Sequence, residues 1–157
     1  MRKIFQALVL GSILCNYCFA FKPVFANEDT KNPIPKGYVA PVFGVDRGSN
    51  SAFGIHGRIF QESPFSNRFT LFFPEGGVVS TNAITYDLPV GATSNIYTGV
   101  GLYGSSVRNS LEFLVQFGGE IEVGNNIILF SDYSLVLTGE DGIRNEGILK
   151  FGVGLGL

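Results

Sequence analysis

The segment Lys150-Phe-Gly-Val-Gly-Leu-Gly-Leu157 alternates strictly, with Phe151, Val153, Leu155 and Leu157 on one side and Lys150, Gly152, Gly154 and Gly156 on the other. A period of two is that of a β-strand, whose successive side chains point to opposite faces. One face is therefore all oil and the other is small or charged. Glycine cannot fill a soluble barrel's core, so the small face suits a narrow polar lumen and the oily face suits lipid.

The same partition recurs upstream. Between Ser110 and Val123, Leu111, Phe113, Val115, Phe117, Ile121 and Val123 share a face, and Glu112, Gln116, Glu120 and Glu122 share the other, with Leu114 as the exception. Phe69, Leu71 and Phe73 alternate with Arg68, Thr70 and Phe72, and Phe53, Ile55 and Ile59 alternate with Gly54, His56, Arg58 and Glu62. Eight such segments are predicted: Tyr38–Asp46, Ala52–Glu62, Arg68–Pro74, Val79–Leu88, Ile96–Tyr103, Ser110–Val123, Ile127–Thr138 and Gly147–Leu157. Turn chemistry separates them at Arg47–Asn50, Ser63–Asn67, Glu75–Gly77, Pro89–Ala92, Ser105–Ser106, Gly124–Asn126 and Gly139–Gly142.

Most of these segments approach the length of a tilted membrane-spanning strand, about nine to eleven residues. The expected fold is all-β: a single antiparallel up-and-down transmembrane β-barrel of about eight strands, spanning 37–157. Aromatic residues near predicted strand ends, namely Tyr38, Phe43, Tyr86, Tyr97, Tyr103 and Phe151, are candidates for interfacial girdles; tryptophan is absent.

With oil outward, the lumen collects Asp46, His56, Arg58, Glu62, Arg68, Asp87, Glu112, Gln116, Glu120, Glu122, Asp132 and Lys150. Buried charges persist when they pair, neutralise or keep water. Arg58, Arg68, Glu112, Gln116, Glu120, Glu122, Asp132 and Lys150 are accordingly the candidate structural network. Eight strands enclose a space just wide enough for side chains, so a plugged interior is expected rather than a pore. No cofactor or metal is expected, because the only histidine is His56 and both cysteines lie near the N-terminus.

That N-terminus is basic at Arg2 and Lys3, apolar from Ile4 to about Phe21, and closes on the small residue Ala26. This is the pattern of a secretory signal peptide over 1–26, the alternative being an uncleaved anchor. Lys22-Pro23 ends the run and favours cleavage, and the bulky Leu14 before Cys15 disfavours a lipoprotein site. Residues 27–36 are polar with two prolines and read as a periplasmic leader. Without 1–26, eight basic residues face 13 acidic ones, so nucleic acid is not an expected partner.

Three segments carry a resemblance. The Gly-rich final strand Gly147–Leu157, the Ile96-Tyr-Thr-Gly-Val-Gly-Leu-Tyr103 strand, and Phe117-Gly-Gly-Glu-Ile-Glu-Val-Gly-Asn-Asn126 with its tight turn resemble the small outer-membrane β-barrel family. The resemblance covers Ile96 to Leu157 by motif and the earlier strands by pattern. It implies an outer membrane of a Gram-negative-type cell, both chain termini on the periplasmic side, contact with lipid, and delivery by the barrel-assembly machinery. The chain departs from the family in finishing on Leu157, where an aromatic residue is usual.

The functional expectation is a non-catalytic monomer contributing to envelope structure or surface contact. Two alternatives belong to other classes. A lipid A deacylase-like hydrolase would use His56 as its base, but the His-x-Ser-Asn pattern of those enzymes is absent, since Gly57, Arg58 and Ile59 follow His56. A soluble periplasmic ligand-binding barrel would invert the faces, and no large apolar set remains to line its pocket. Cleavage after Ala26 predicts that the purified protein begins at Asn27, holds 131 residues and contains no cysteine, which intact-mass measurement and thiol titration check.

Overall fold

The computed structural model describes residues 37–46, 50–62, 64–124, 126–138 and 144–157. The predicted signal peptide 1–26 and leader 27–36 lie outside them, as do 47–49, 63, 125 and 139–143, in or beside four of the predicted turns. Eight strands follow one another: β1 (Tyr38–Asp46), β2 (Ser51–Glu62), β3 (Phe65–Phe72), β4 (Val79–Pro89), β5 (Ser94–Ser105), β6 (Ser110–Glu122), β7 (Ile127–Thr138) and β8 (Arg144–Gly156). Each pairs antiparallel with the next, and β8 returns to β1 with Tyr38 opposite Gly156 and Asp46 opposite Ile148. The sheet is thus a closed up-and-down barrel. Its terminal end carries Gly37 and Leu157, tied by Leu157 N–H donating to Gly37 C=O at 2.9 Å. The opposite end, the loop end, carries the β1–β2, β3–β4, β5–β6 and β7–β8 connections.

The bounds of β1 and β7 coincide with those read from sequence, whereas β3 begins at Phe65 rather than Arg68. Ser66 and Asn67 are strand residues, not turn residues, because they continue the alternation: Ser66 and Arg68 are buried, Phe65 exposed and Asn67 half-buried on the other face. The β2–β3 connection shrinks to two residues, and the register shifts between Ile59 and Gln61, the mark of a β-bulge. At its other end β3 stops at Phe72; Phe73 N–H still donates to Phe53 C=O, and Pro74, with no N–H, cannot continue the ladder.

Polarity is inverted relative to a soluble protein. Arg58, Arg68, Asp87, Glu120, Asp132 and Lys150 are each at most 3% exposed, while Phe53, Val100, Phe113 and Leu155 are each at least 66% exposed. Toward the loop end the lumen also holds an apolar cluster of Val42, Phe72, Ala83, Tyr103, Leu114, Val136 and Ile148. Leu114, the exception in its strand's pattern, belongs to this cluster and breaks no rule of face.

The girdle expectation divides. Phe43, Tyr86 and Phe151 lie on the outer face, Phe43 packing between Phe53 and Phe151 at 5.0 and 5.2 Å, and Tyr86 meeting Phe65 edge-on at 5.4 Å. Tyr38, Tyr97 and Tyr103 instead point into the lumen, buried to 5% exposure or less. Their parity decides this: Tyr38 shares its face with Ala40 and Val42, and Tyr97 and Tyr103 share theirs with Gly99 and Gly101.

Several glycines are seats for aromatic rings. A Cβ on Gly57 would enter the ring of Phe69, one on Gly147 the ring of Tyr133, and one on Gly152 both Pro41 C=O and the ring of Phe130. On Gly119, which faces outward, the nearest atom to an added Cβ is at 3.5 Å. Gly152→Val is expected to lower unfolding stability by about 1–3 kcal/mol through forced repacking. Gly119→Ala is expected to change it by less than about 0.5 kcal/mol. Urea midpoints in lipid vesicles measure both.

Candidate functional site: the polar lumen

The terminal-end half of the barrel holds a plate of charged side chains supplied by β2, β3, β4 and β6. Alternation puts them all inside, and register brings them to one level. Arg68 donates through Nη1 to Glu120 Oε2 at 2.7 Å and through Nη2 to both Asp87 oxygens at 3.1 and 3.2 Å. Arg58 donates through Nη1 to Glu120 Oε1 at 2.5 Å, and its Nη2 lies 3.6 Å from Asp87 Oδ2. Two guanidinium groups thus interleave with two carboxylates, each cation touching both anions.

Neutral groups fill most of the remaining valences of the plate, and Arg58 Nη2 keeps only its 3.6 Å approach to Asp87, with no hydrogen bond among the described residues. Ser66 Oγ accepts from Arg58 Nε at 3.1 Å and donates to Asp87 at 2.5 Å. Thr85 Oγ1 accepts from Arg68 Nε and donates to Asp87 Oδ1 at 3.0 Å. Asn95 Nδ2 and Tyr38 OH both donate to Glu120, each at 3.1 Å. The guanidinium carbon of Arg68 also sits 3.5 Å from the centre of the Tyr97 ring, a cation–π contact. Such dense pairing is what allows charge to remain inside a narrow barrel, because a buried ion without partners costs several kcal/mol.

A second pair lies beside the plate. Lys150 Nζ is 2.8 Å from Asp132 Oδ1, Tyr97 OH donates to Asp132 Oδ2 at 3.3 Å, and Lys150 reaches Thr70 Oγ1 at 3.5 Å. His56 joins the two groups: one ring nitrogen meets Thr70 Oγ1 at 2.9 Å, the other meets Tyr38 OH at 3.3 Å, and the ring stacks on Phe130 at 4.3 Å. In all, three cations face three carboxylates.

The eight candidates from sequence do not form one unit. Arg58, Arg68 and Glu120 make the plate, and Asp132 and Lys150 make the second pair. Gln116 is buried between the polar and apolar halves with neither amide atom hydrogen-bonded, next to Ser134, whose hydroxyl is likewise without a partner. Glu112 lies toward the loop end, half-buried and with Oε2 unpartnered, and Glu122 is half-buried at the terminal mouth. Neither has an ion pair among the described residues.

Other lumen-facing positions fare differently. Asp46 is half-buried at the loop-end mouth, where it accepts from the Asn50 backbone N–H at 2.9 Å, and the side chain of Glu62 lies outside the described residues. Asp87, outside the sequence-derived network, proves central to the plate. Tyr38 and Tyr97 were hidden by the girdle reading and Ser66 by the turn reading; parity with Arg68 and Gly99 is the signal that finds them. At the loop end, a cavity of about 90 Å³ is lined by Ala52, Phe72, Val79, Tyr103 and Ile148 below and Asp46, Asn50, Arg108 and Glu146 at the rim. Arg108 and Glu146 are paired with each other across it. Among the described residues no group of His, Cys, Asp and Glu is arranged to hold a metal ion.

No protein-family model matches the chain, and no curated protein matches it. Solved structures do. A designed transmembrane β-barrel superposes with a TM-score of 0.61 at 10% identity, over 77% of this chain and 95% of that one. The N-terminal β-barrel domain of Pseudomonas aeruginosa OprF gives 0.59 at 12% identity, over 76% and 95%. The Yersinia pestis outer-membrane protein Ail, solved in a phospholipid bilayer nanodisc, gives 0.52 at 10% identity, over 77% and 98%. With an oily outer wall, a charged interior and eight closed strands already established, these matches show that the chain has the fold of the small eight-stranded outer-membrane β-barrels.

Proposed function

We propose that this protein is a non-conducting, non-catalytic barrel of the outer membrane that contributes to envelope structure or surface contact. The observation that carries the reading is the plate of Arg58, Arg68, Asp87 and Glu120, which crosses the lumen with all four side chains fully buried. Ions entering from either end meet an interior already occupied by its own counter-charges. The apolar cluster around Phe72, Leu114 and Ile148 adds a second seal on the loop side.

The loop end also supports a modest surface role. Its connections run to four, six, four and five residues, leaving little chain from which to build a large receptor surface. His56, the only histidine and the base that the deacylase-like alternative would use, is 0% exposed and engages Thr70 and Tyr38 through its two nitrogens. Lipid surrounds the barrel in this reading, the assembly machinery inserts it, and the signal peptide is removed on export.

In planar bilayers the purified protein is expected to show no steady single-channel conductance. A reproducible unitary current from it would overturn the plugged reading. Arg68→Ala leaves Asp87 and Glu120 buried with Arg58 alone, and is expected to reduce unfolding stability by about 3–5 kcal/mol. That loss appears as a lower temperature for converting the compact gel band to the unfolded position, whereas Glu75→Ala, at an exposed position of the β3–β4 connection, leaves the conversion where it was.

A further inference from the structure

The outer wall is not oily all round. On β6, Leu111, Phe113, Val115, Phe117 and Ile121 face outward, and on β8 Leu149, Phe151, Val153 and Leu155 do so. Across β3 and β4 the corresponding rows read Phe65, Asn67, Phe69, Leu71 and Ser80, Asn82, Ile84, Tyr86. Phe69 pairs in register with Asn82, and Asn67 pairs with Ile84, so the two asparagines lie on a diagonal between apolar neighbours. They stand above the Phe65–Tyr86 aromatic pair and below Leu71, within the height of the apolar wall.

Asn67 Nδ2 donates to Asn82 Oδ1 at 3.2 Å. That bond fixes the Asn82 amide and leaves its Nδ2 without an acceptor among the described residues, while Oδ1 keeps a second lone pair. The wall therefore presents, at one point, an amide with a donor and an acceptor to spare. In hydrocarbon an unmade amide hydrogen bond is costly, and water is not there to make it. A primary amide is also self-complementary: two of them related by a two-fold axis exchange N–H···O bonds in both directions.

We infer that the β3–β4 wall is a self-association surface, on which two copies of this chain pair about a two-fold axis through reciprocal Asn82 amides, with Asn67 as the positioning residue. Phe69, Leu71, Ile84 and Leu102 surround the amide and supply the apolar rim that excludes lipid from it. The donated bond from Asn67 polarises the Asn82 carboxamide and strengthens the bond that it makes across the axis. The inference rests on the reading of the outer wall as lipid-facing and is independent of whether the lumen conducts. It also replaces the expectation of a monomer with that of a symmetric dimer.

The test uses the full chain with Cys15→Ser and Cys18→Ser, so that each added cysteine is single. Ile84→Cys places a thiol beside the proposed axis, and Val153→Cys places one on β8, across the barrel. Outer membranes carrying each protein are treated with a short bismaleimide and run on a gel. A dimer band is expected for Ile84→Cys and not for Val153→Cys. Adding Asn82→Leu to the Ile84→Cys protein is expected to reduce that band at least about tenfold, since hydrogen bonds of this kind inside membranes carry much of the association. Asn67→Leu is expected to reduce it less.

Leucine on a lipid-facing wall is compatible with folding, and boiling-dependent migration on the same gel reports whether each variant remains a closed barrel. Equal bands from the two cysteine positions, no band at Ile84→Cys, or a band indifferent to Asn82→Leu would each overturn the dimer while the heat shift leaves the barrel standing. Loss of the heat shift in the parent protein would remove the lipid-facing reading itself, which is a different failure.

Discussion

In hydrocarbon a peptide group without a hydrogen-bond partner costs several kcal/mol, and a strand by itself exposes such groups along both edges. Here β1 lies between β2 and β8, and every other strand likewise has two neighbours, so no edge remains. Closure at eight strands then dictates the rest. It fixes a lumen of side-chain width, forces one face of every strand into that lumen, and leaves the other face to contact lipid. A ring-on-glycine contact inside the lumen follows from the same tightness: Phe130 lies against Gly152, where an added Cβ would meet both the ring and Pro41 C=O.

A lumen that narrow has to resolve its own electrostatics. The solution is local rather than general, with Arg58 and Arg68 each touching both Asp87 and Glu120, and Lys150 set against Asp132. Tyr38 and Tyr97 span the two groups, Tyr38 bonded to Glu120 and in contact with His56, and Tyr97 stacked on Arg68 and bonded to Asp132. Phenolic side chains suit this place because each brings a flat apolar body and one hydroxyl, filling volume and satisfying an ion at once.

Much of the fold was legible because a period of two is a local property. In β1 and β7, apolar-rich runs closed off by turn residues on both sides, the bounds emerge from sequence without shift. In β3 the polar pair Ser66-Asn67 after Pro64 imitated a turn, and only its pairing with β2 and β4 reveals it as strand. The network was less legible, since parity states which face a residue occupies but not its height or its partner. Glu112, Glu120 and Glu122 have the same parity on the same strand; register alone brings Glu120 to arginines 52 and 62 residues away. Tyr38, Tyr97 and Tyr103 show the converse, since their parity and not their place near a strand end decides that they face the lumen.

The plate has one more consequence, for the order in which the barrel comes into being. Its four members sit on β2, β3, β4 and β6, and Glu120 is the member through which both arginines are joined to the second half of the chain. A hairpin of β2 and β3 entering a bilayer alone would carry two guanidinium groups with no carboxylate from β6 to meet them. Strand-by-strand immersion is therefore uphill, and immersion coupled to curling is not. For this sequence, crossing the membrane and rolling up the sheet are one cooperative event, and the ion cluster acts as the latch that ties them together.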